Sequence, residues 1–311
     1  MVSLTQLPFA LPEDKVPTPQ IAGDIIATFL TQEWPKQDPA TITVTYSTSF
    51  TNPSCFLDAR TLEPEDVEDE ALRADLARGL ATFHTLQAGA LPRRPVSSYY
   101  EAVGKGLRSL HGSDKLKTLA RDGGVPIDEL VDYDLAGRCA IVVEALQKLD
   151  AKTGWCIHDI QSMNILVKNR PAADETKITL IDFEFVFENY RAFDIGGHFM
   201  QKMFKWYDET SKVANCRPYL EAEERHFCEA YAAQWNARTG GGTDTGEQVY
   251  REAQLGYMLA TAFDIHNMLC WMEQESDKDP LSLAGLNKLF AEFKGRYEKL
   301  GLEVANKTYR S

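Results

Sequence analysis

The sequence predicts an α+β fold, with a small β-containing N-terminal part and a large, mostly helical part that carries one β-hairpin. Three observations predict it. The TITVTYS run at 41–47 alternates β-branched residues as a strand does. The stretches from 64 to 149 and beyond 208 carry apolar residues at helical spacing. Between them, two short apolar runs, Ile165 to Val167 and Ile178 to Ile181, flank a polar insert and read as a buried hairpin. The 311 residues suffice for one large domain or two modest ones. A content of 44% hydrophobic and 25% charged residues is that of a globular protein and excludes disordered, collagen-like and coiled-coil classes.

Taken in order, Ile21, Ile25, Ile26, Phe29 and Leu30 recur at helical spacing and stop before Pro35, which predicts a short amphipathic helix ahead of the strand. After the strand, SFTNPSCFLD at 49–58 supports a turn and at most one more strand. From Pro64, acidic residues crowd a first helical turn, where they complement the helix dipole, and Leu72, Leu76, Leu80 and Phe83 share a stripe. Pro92 and Pro95 mark a connection. Leu107, Leu110, Leu116 and Leu119 then form an amphipathic region that Gly123, Gly124 and Pro126 interrupt. Another helix runs through 135–149 and ends near Gly154. The hairpin follows, and the helices after Asp208 are broken by TGGGTDTG at 239–246.

Charge and cysteine usage narrow the function. With 33 Lys plus Arg against 46 Asp plus Glu, the net charge of -13 repels phosphate polyanions and anionic membrane surfaces, which excludes nucleic acid as a partner. No run approaches the roughly 18 apolar residues of a spanning helix, and residues 1–20 lack a basic start and a long apolar stretch. A cytoplasmic address without membrane insertion is expected. The six cysteines form no C-x-x-C pair, so reduced and mostly buried thiols are expected.

The chemistry is expected on the hairpin. CIHDIQSMNIL at 156–166 is followed by LIDFEF at 180–185, so Asp159 and Asn164 precede one strand and Asp182 ends the next. That order can bring three oxygen-bearing side chains to one mouth. Phosphoryl transfer from ATP to a hydroxyl needs such a set, because its loose transition state demands positioning and charge neutralisation. One carboxylate accepts the hydroxyl proton, the part that suits Asp159; an amide and a carboxylate hold Mg²⁺ through hard oxygen ligands, the part that suits Asn164 and Asp182. By spacing alone, Asp159 could equally cap a turn, Asn164 fill a left-handed position and Asp182 end a strand.

Context separates the two readings. HDIQSMNIL, LIDFEF and the NYRAFDIGGHF run at 189–199 resemble the choline/ethanolamine kinases, whose patterns are H-N-D-x-x-x-x-N-I-L, I-D-F-E-Y and N-Y-R-G-F-D-I-G-N-H-F. The last run favours this group over aminoglycoside phosphotransferases of the same fold. The resemblance implies a protein-kinase-like fold, with a reduced nucleotide lobe over 1–62 and a helical lobe over 63–311 holding the catalytic loop and an amine pocket. It implies ATP and Mg²⁺ as cofactors and transfer of the γ-phosphoryl group to choline or ethanolamine, the first step towards the corresponding phospholipids. By residue match, Asp159 is the catalytic base, Asn164 and Asp182 are metal ligands, and Gln161, Asp182 and Glu184 line the cofactor side. Asp194 braces the following helix. The amine pocket, an aromatic cage with a carboxylate in the family, is matched by Phe185, Gln201, Trp206 and Trp271, with Gln201 standing where the carboxylate would be. A homodimer or a heterodimer with family members is compatible with the resemblance.

Two departures stand out. His158 is adjacent to Asp159, whereas the family's histidine lies two residues before the catalytic aspartate, so no proton-transfer role is assigned to it. The nucleotide lobe is short: FLDARTL at 56–62 resembles a segment that ordinarily comes later, and no Lys or Arg occurs between Lys36 and Arg60. A second reading therefore stands beside the enzyme, a catalytically silent relative that pairs with a full-length kinase through an unpaired sheet edge.

Overall fold

The computed structural model describes residues 44–46, 55–57, 59–86, 95–110, 112–123, 129–130, 133–171, 176–275 and 279–302. The helix expected at 21–30 lies outside them. β1 (Val44–Tyr46) pairs antiparallel with β2 (Cys55–Leu57), Val44 opposite Leu57. Within the TITVTYS run Val44–Tyr46 is thus a strand, paired with β2 among the described residues. β3 (Ala59–Thr61) runs antiparallel to a strand of the hairpin, described below.

A short 3-10 turn, Asp66–Glu68, precedes α1 (Glu70–His84), whose first turn is capped by the Asp69 carboxylate accepting from Leu72 N at 2.8 Å. Leu72, Leu76 and Leu80 are buried as their spacing predicts. Phe83 is half-buried instead, and stacks on Phe183 with ring centroids 5.2 Å apart. α2 (Val96–Leu110) and α3 (Asp114–Gly123) bury all four leucines of the amphipathic region. α4 (Leu135–Lys148) starts from Asp134, whose side chain accepts from Gly137 N at 3.1 Å.

The sequence carries α4 on to about Gly154, but the helix ends at Lys148, Asp150 turns left-handed at φ 53°, and Gly154 lies in a strand. That strand, β4 (Thr153–Cys156), pairs antiparallel with β7 (Phe187–Tyr190), Cys156 opposite Phe187. A Cβ at Gly154 would stand 2.5 Å from the His84 carbonyl oxygen, so glycine lets β4 lie against the end of α1. Between these strands sits the expected hairpin, β5 (Ile165–Lys168) and β6 (Ile178–Leu180), Ile165 opposite Leu180. β3 adds to it in the order β3-β5-β6.

α5 (Ala192–Gln201) is buried at every residue and crosses α7 (Gly246–Glu275), with α6 (Glu221–Thr239) and α8 (Pro280–Lys299) packed around them. Two glycines set this crossing. A Cβ at Gly256 would meet Ala192 O at 1.7 Å, and one at Gly196 would meet Tyr257 N at 2.0 Å, so the backbones touch where any side chain would part them. The start of α5 is locked from below by Arg191, fully buried, which donates to Glu252 at 2.8 Å and to Asp244 at 2.5 Å and lies 4.6 Å from the Trp235 ring. Cys139, Cys156 and Cys228 are buried free thiols, and Cys216 and Cys270 are partly covered. Among the described residues no helix is long and apolar enough to cross a membrane.

Candidate active site

β4 delivers the chain into a loop, 157–161, that would be unstable alone, because His158 takes a left-handed φ of 67°. Asp194 holds it. Fully buried at the start of α5, its carboxylate accepts from Ile157 N at 2.6 Å and His158 N at 3.0 Å, and meets His84 Nε2 at 3.1 Å. Burial pushes the Asp194 carboxyl up, and the His84 hydrogen bond with the facing histidines and Ile157 N outweighs it, leaving the group below the ordinary carboxylate value. Asp194 thus braces the 157–161 loop as well as its own helix.

The His158 ring is a strut. Its Nδ1 faces two acceptors, the Cys156 and Phe185 carbonyls, each at 3.0 Å, so that nitrogen carries the proton. Its Nε2 accepts from Asn189 Nδ2 at 2.9 Å, and the ring stacks on Phe187 at 3.5 Å. Burial pulls its pKa down to about 4, which keeps it neutral at pH 7. The carbonyl of Phe185 ties this strut to the 181–186 turn, so both halves of the site share one post.

Asp159 follows. Its Oδ2 accepts from Gln161 Nε2 at 3.0 Å and Asn164 Nδ2 at 2.9 Å, and Asn164 Nδ2 also reaches the Asp159 carbonyl at 2.9 Å. Burial pushes the Asp159 carboxyl up and the two amides pull it back; Asp182 and Glu184 add like charge, and the net displacement is upward. Asp182 arrives from β6: Ile181 N donates to the Asn164 carbonyl at 3.0 Å, and Asp182 itself turns left-handed at φ 64°. Asp159, Asn164 and Asp182 are therefore brought together as the hairpin spacing predicts. The donor set fits Mg²⁺. Asn164 spends its amide N–H groups on Asp159, which leaves Oδ1 as its ligand atom, and Ile181 N on the Asn164 carbonyl sets the exposed Asp182 one residue further on.

The residues matched to an amine pocket divide. Gln201, at the end of α5, accepts from Trp206 Nε1 at 2.8 Å and donates through Nε2 to Asp264 on α7 at 2.7 Å. Phe185 is 48% exposed and Trp271 47% exposed, and among the described residues no ring contact joins either to Trp206. Asp264 is the residue that sequence reasoning missed. Burial, then the charge of Asp159, push its carboxyl up to about 8, while the Gln201 amide pulls it down. Its signal in the sequence is an acid on the inward stripe of α7, with Tyr257, Ala260 and Thr261, all buried. Tyr99 was missed as well. It packs against His158, Phe187 and Phe263, and burial, reinforced by the charge of Asp264, raises its pKa.

A family profile described as choline/ethanolamine kinase matches residues 49–276, more than half of the chain. The chain belongs to the choline/ethanolamine kinase family. Among curated members it is 28% identical to the mouse choline/ethanolamine kinase over 184 residues, covering 58% of this chain and 44% of that one. To the human choline/ethanolamine kinase it is 26% identical over 216 residues, covering 67% and 52%. To a probable ethanolamine kinase of Arabidopsis thaliana it is 30% identical over 182 residues, covering 57% and 43%. The chain thus spans about half the length of the curated relatives it matches. Two solved structures share the fold: a Plasmodium vivax ethanolamine kinase (TM-score 0.54, 20% identity, 82% of this chain and 70% of that one) and a Cryptosporidium parvum choline kinase (0.55, 14%, 85% and 76%). The protein-kinase-like fold implied by the sequence resemblance is that of the family.

Proposed function

We propose that this chain is a cytoplasmic, ATP-dependent phosphotransferase acting on the hydroxyl of choline or ethanolamine. One observation carries the reading: Asp159, half-buried at the mouth of the hairpin, is clamped through a single oxygen by Gln161 and Asn164. The second oxygen is left to a substrate hydroxyl. In the reaction, the hydroxyl oxygen attacks the γ-phosphorus, the bond to the bridging β–γ oxygen breaks, ADP leaves, and the hydroxyl proton passes to Asp159. The upward displacement of the Asp159 carboxyl makes it a stronger base than an exposed aspartate.

Asn164 Oδ1 and the Asp182 carboxylate would hold Mg²⁺, which supplies charge neutralisation to the phosphates of ATP. Gln161 and Glu184 flank that side, with Phe185, Gln201, Trp206 and Trp271 assigned to the amine. Residues 1–62 and 63–311 are assigned as nucleotide and helical lobes, and β3 ties one to the other through β5. Release of ADP with either amine tests the reading. Asp159→Asn is expected to lower kcat by about 10² to 10⁴ with an unchanged melting temperature; equal rates for the two proteins overturn it.

The silent-relative reading is favoured by one observation. Arg60, the first basic residue after Lys36, is engaged by Asp66 through both its terminal nitrogens, with distances of 2.5 and 2.8 Å. Absence of any thermal shift at millimolar Mg-ATP would select that reading.

A further inference from the structure

Gln201 and Asp264 meet because of how α5 and α7 cross. From the Gly196–Tyr257 contact the helices climb together: a Cβ at Gly197 would stand 3.2 Å from the Ala260 Cβ, and five residues past Gly196, Gln201 reaches Asp264. The amide of Gln201 has a fixed orientation, since the Trp206 indole N–H can only donate and so selects the oxygen, turning the NH₂ group onto Asp264. Asp264 is therefore an oriented carboxylate. One oxygen takes a neutral donor, and among the described residues no Lys, Arg or His forms an ion pair with it.

A half-buried carboxylate of this kind is costly to ionise unless a cation joins it. It lies close enough to Asp159 for the charge of one to act on the other. On its flank is Tyr99, whose hydroxyl is buried with no hydrogen-bond partner and whose ring packs on Phe263, the residue before Asp264. A small amino alcohol has this polarity: a hydroxyl at one end for Asp159 and an ammonium at the other.

We propose that Asp264, oriented by the Trp206–Gln201 relay, is the carboxylate that binds the ammonium group of the acceptor. The charge that the family pattern leads one to seek at position 201 is supplied from α7 instead. This rests on the phosphotransferase reading above. It adds that Gln201 positions the acid and that specificity for a cationic acceptor resides in Asp264.

The test is steady-state ADP release with ethanolamine and with choline, varying amine and ATP separately, for the parent chain, Asp264→Asn and the double variant Asp264→Asn, Gln201→Glu. Thermal melts of all three establish that they are folded. Loss of one charge-assisted contact is expected to raise the amine KM about 10- to 100-fold with the ATP KM unchanged. Gln201→Glu returns a carboxylate to the same hydrogen-bonded pair and is expected to recover at least fivefold of that loss, which a purely structural role for Asp264 would not allow. An amine KM in Asp264→Asn within twofold of the parent overturns the proposal and leaves the kinase reading standing. A parent chain that releases ADP with neither amine overturns the kinase reading, and this one with it.

Discussion

A carboxylate kept for binding should cost the protein stability, and Asp264 allows that cost to be measured. Burial and the charge of Asp159 hold its folded pKa near 8, against about 4 for an aspartate in an unfolded chain. Between those values the folded protein binds the proton and the unfolded chain does not. Stability contributed by this group therefore falls as pH rises through the window. At about 1.4 kcal/mol for each pH unit, the full window of about four units gives an upper figure of about 6 kcal/mol. Asp264→Asn removes the ionisation and keeps an oxygen to accept from Gln201 Nε2. The variant is expected to match the parent near pH 4.5 and to exceed it increasingly towards pH 8, by a few kcal/mol. Urea unfolding at half-unit steps from pH 4.5 to 8 reads the difference directly. A difference that is flat with pH, or a variant less stable than the parent at pH 8, refutes the reasoning.

Two further variants test the frame around the site. Asp194→Asn sets an amide against three buried donors, Ile157 N, His158 N and His84 Nε2, and should cost about 3 to 5 kcal/mol in urea unfolding, with turnover falling in the fraction that remains folded. Gly256→Ala forces a methyl into the Ala192 carbonyl and should cost about 3 kcal/mol or more, whereas Gly295→Ala on α8, with open space around it, should stabilise by up to about 1 kcal/mol in the same assay.

What the sequence discloses here depends on the range of the interaction. The β5–β6 hairpin, α1 and the four leucines of α2 and α3 are local patterns of period two or 3.6, and they are where those patterns predict. The meeting of Asp159, Asn164 and Asp182 is legible for the same reason, since Asn164 and Asp182 are joined by the hairpin register itself. The β4–β7 pair is not legible, because TGWC and FENY are four residues each, lie more than thirty apart, and owe their pairing to the α1 terminus against which Gly154 packs. Asp264 is hidden for a related reason. Its partner Gln201 lies 63 residues away, and the two meet only through the crossing of α5 and α7. Trp271, chosen for its residue type, is two turns farther along α7 and half-exposed.

The two acids of the site are held differently, and the difference has a chemical consequence. Asp159 has two amide donors on one oxygen, which partly offset its burial; Asp264 has one amide, so burial and the Asp159 charge dominate. Burial and the charge of Asp159 raise the Asp264 carboxyl, so with no acceptor bound the negative charge sits on Asp159 and the proton on Asp264. A cation seated against Asp264 favours its ionised form: a unit charge about 4 Å away is worth about 4 kcal/mol at an effective dielectric constant of 20. A neutral alcohol of the same size forgoes that interaction and leaves the charge on Asp159 where it was. Discrimination against neutral alcohols should therefore appear mainly in KM, because the cation fills the pocket beside a base that is already ionised.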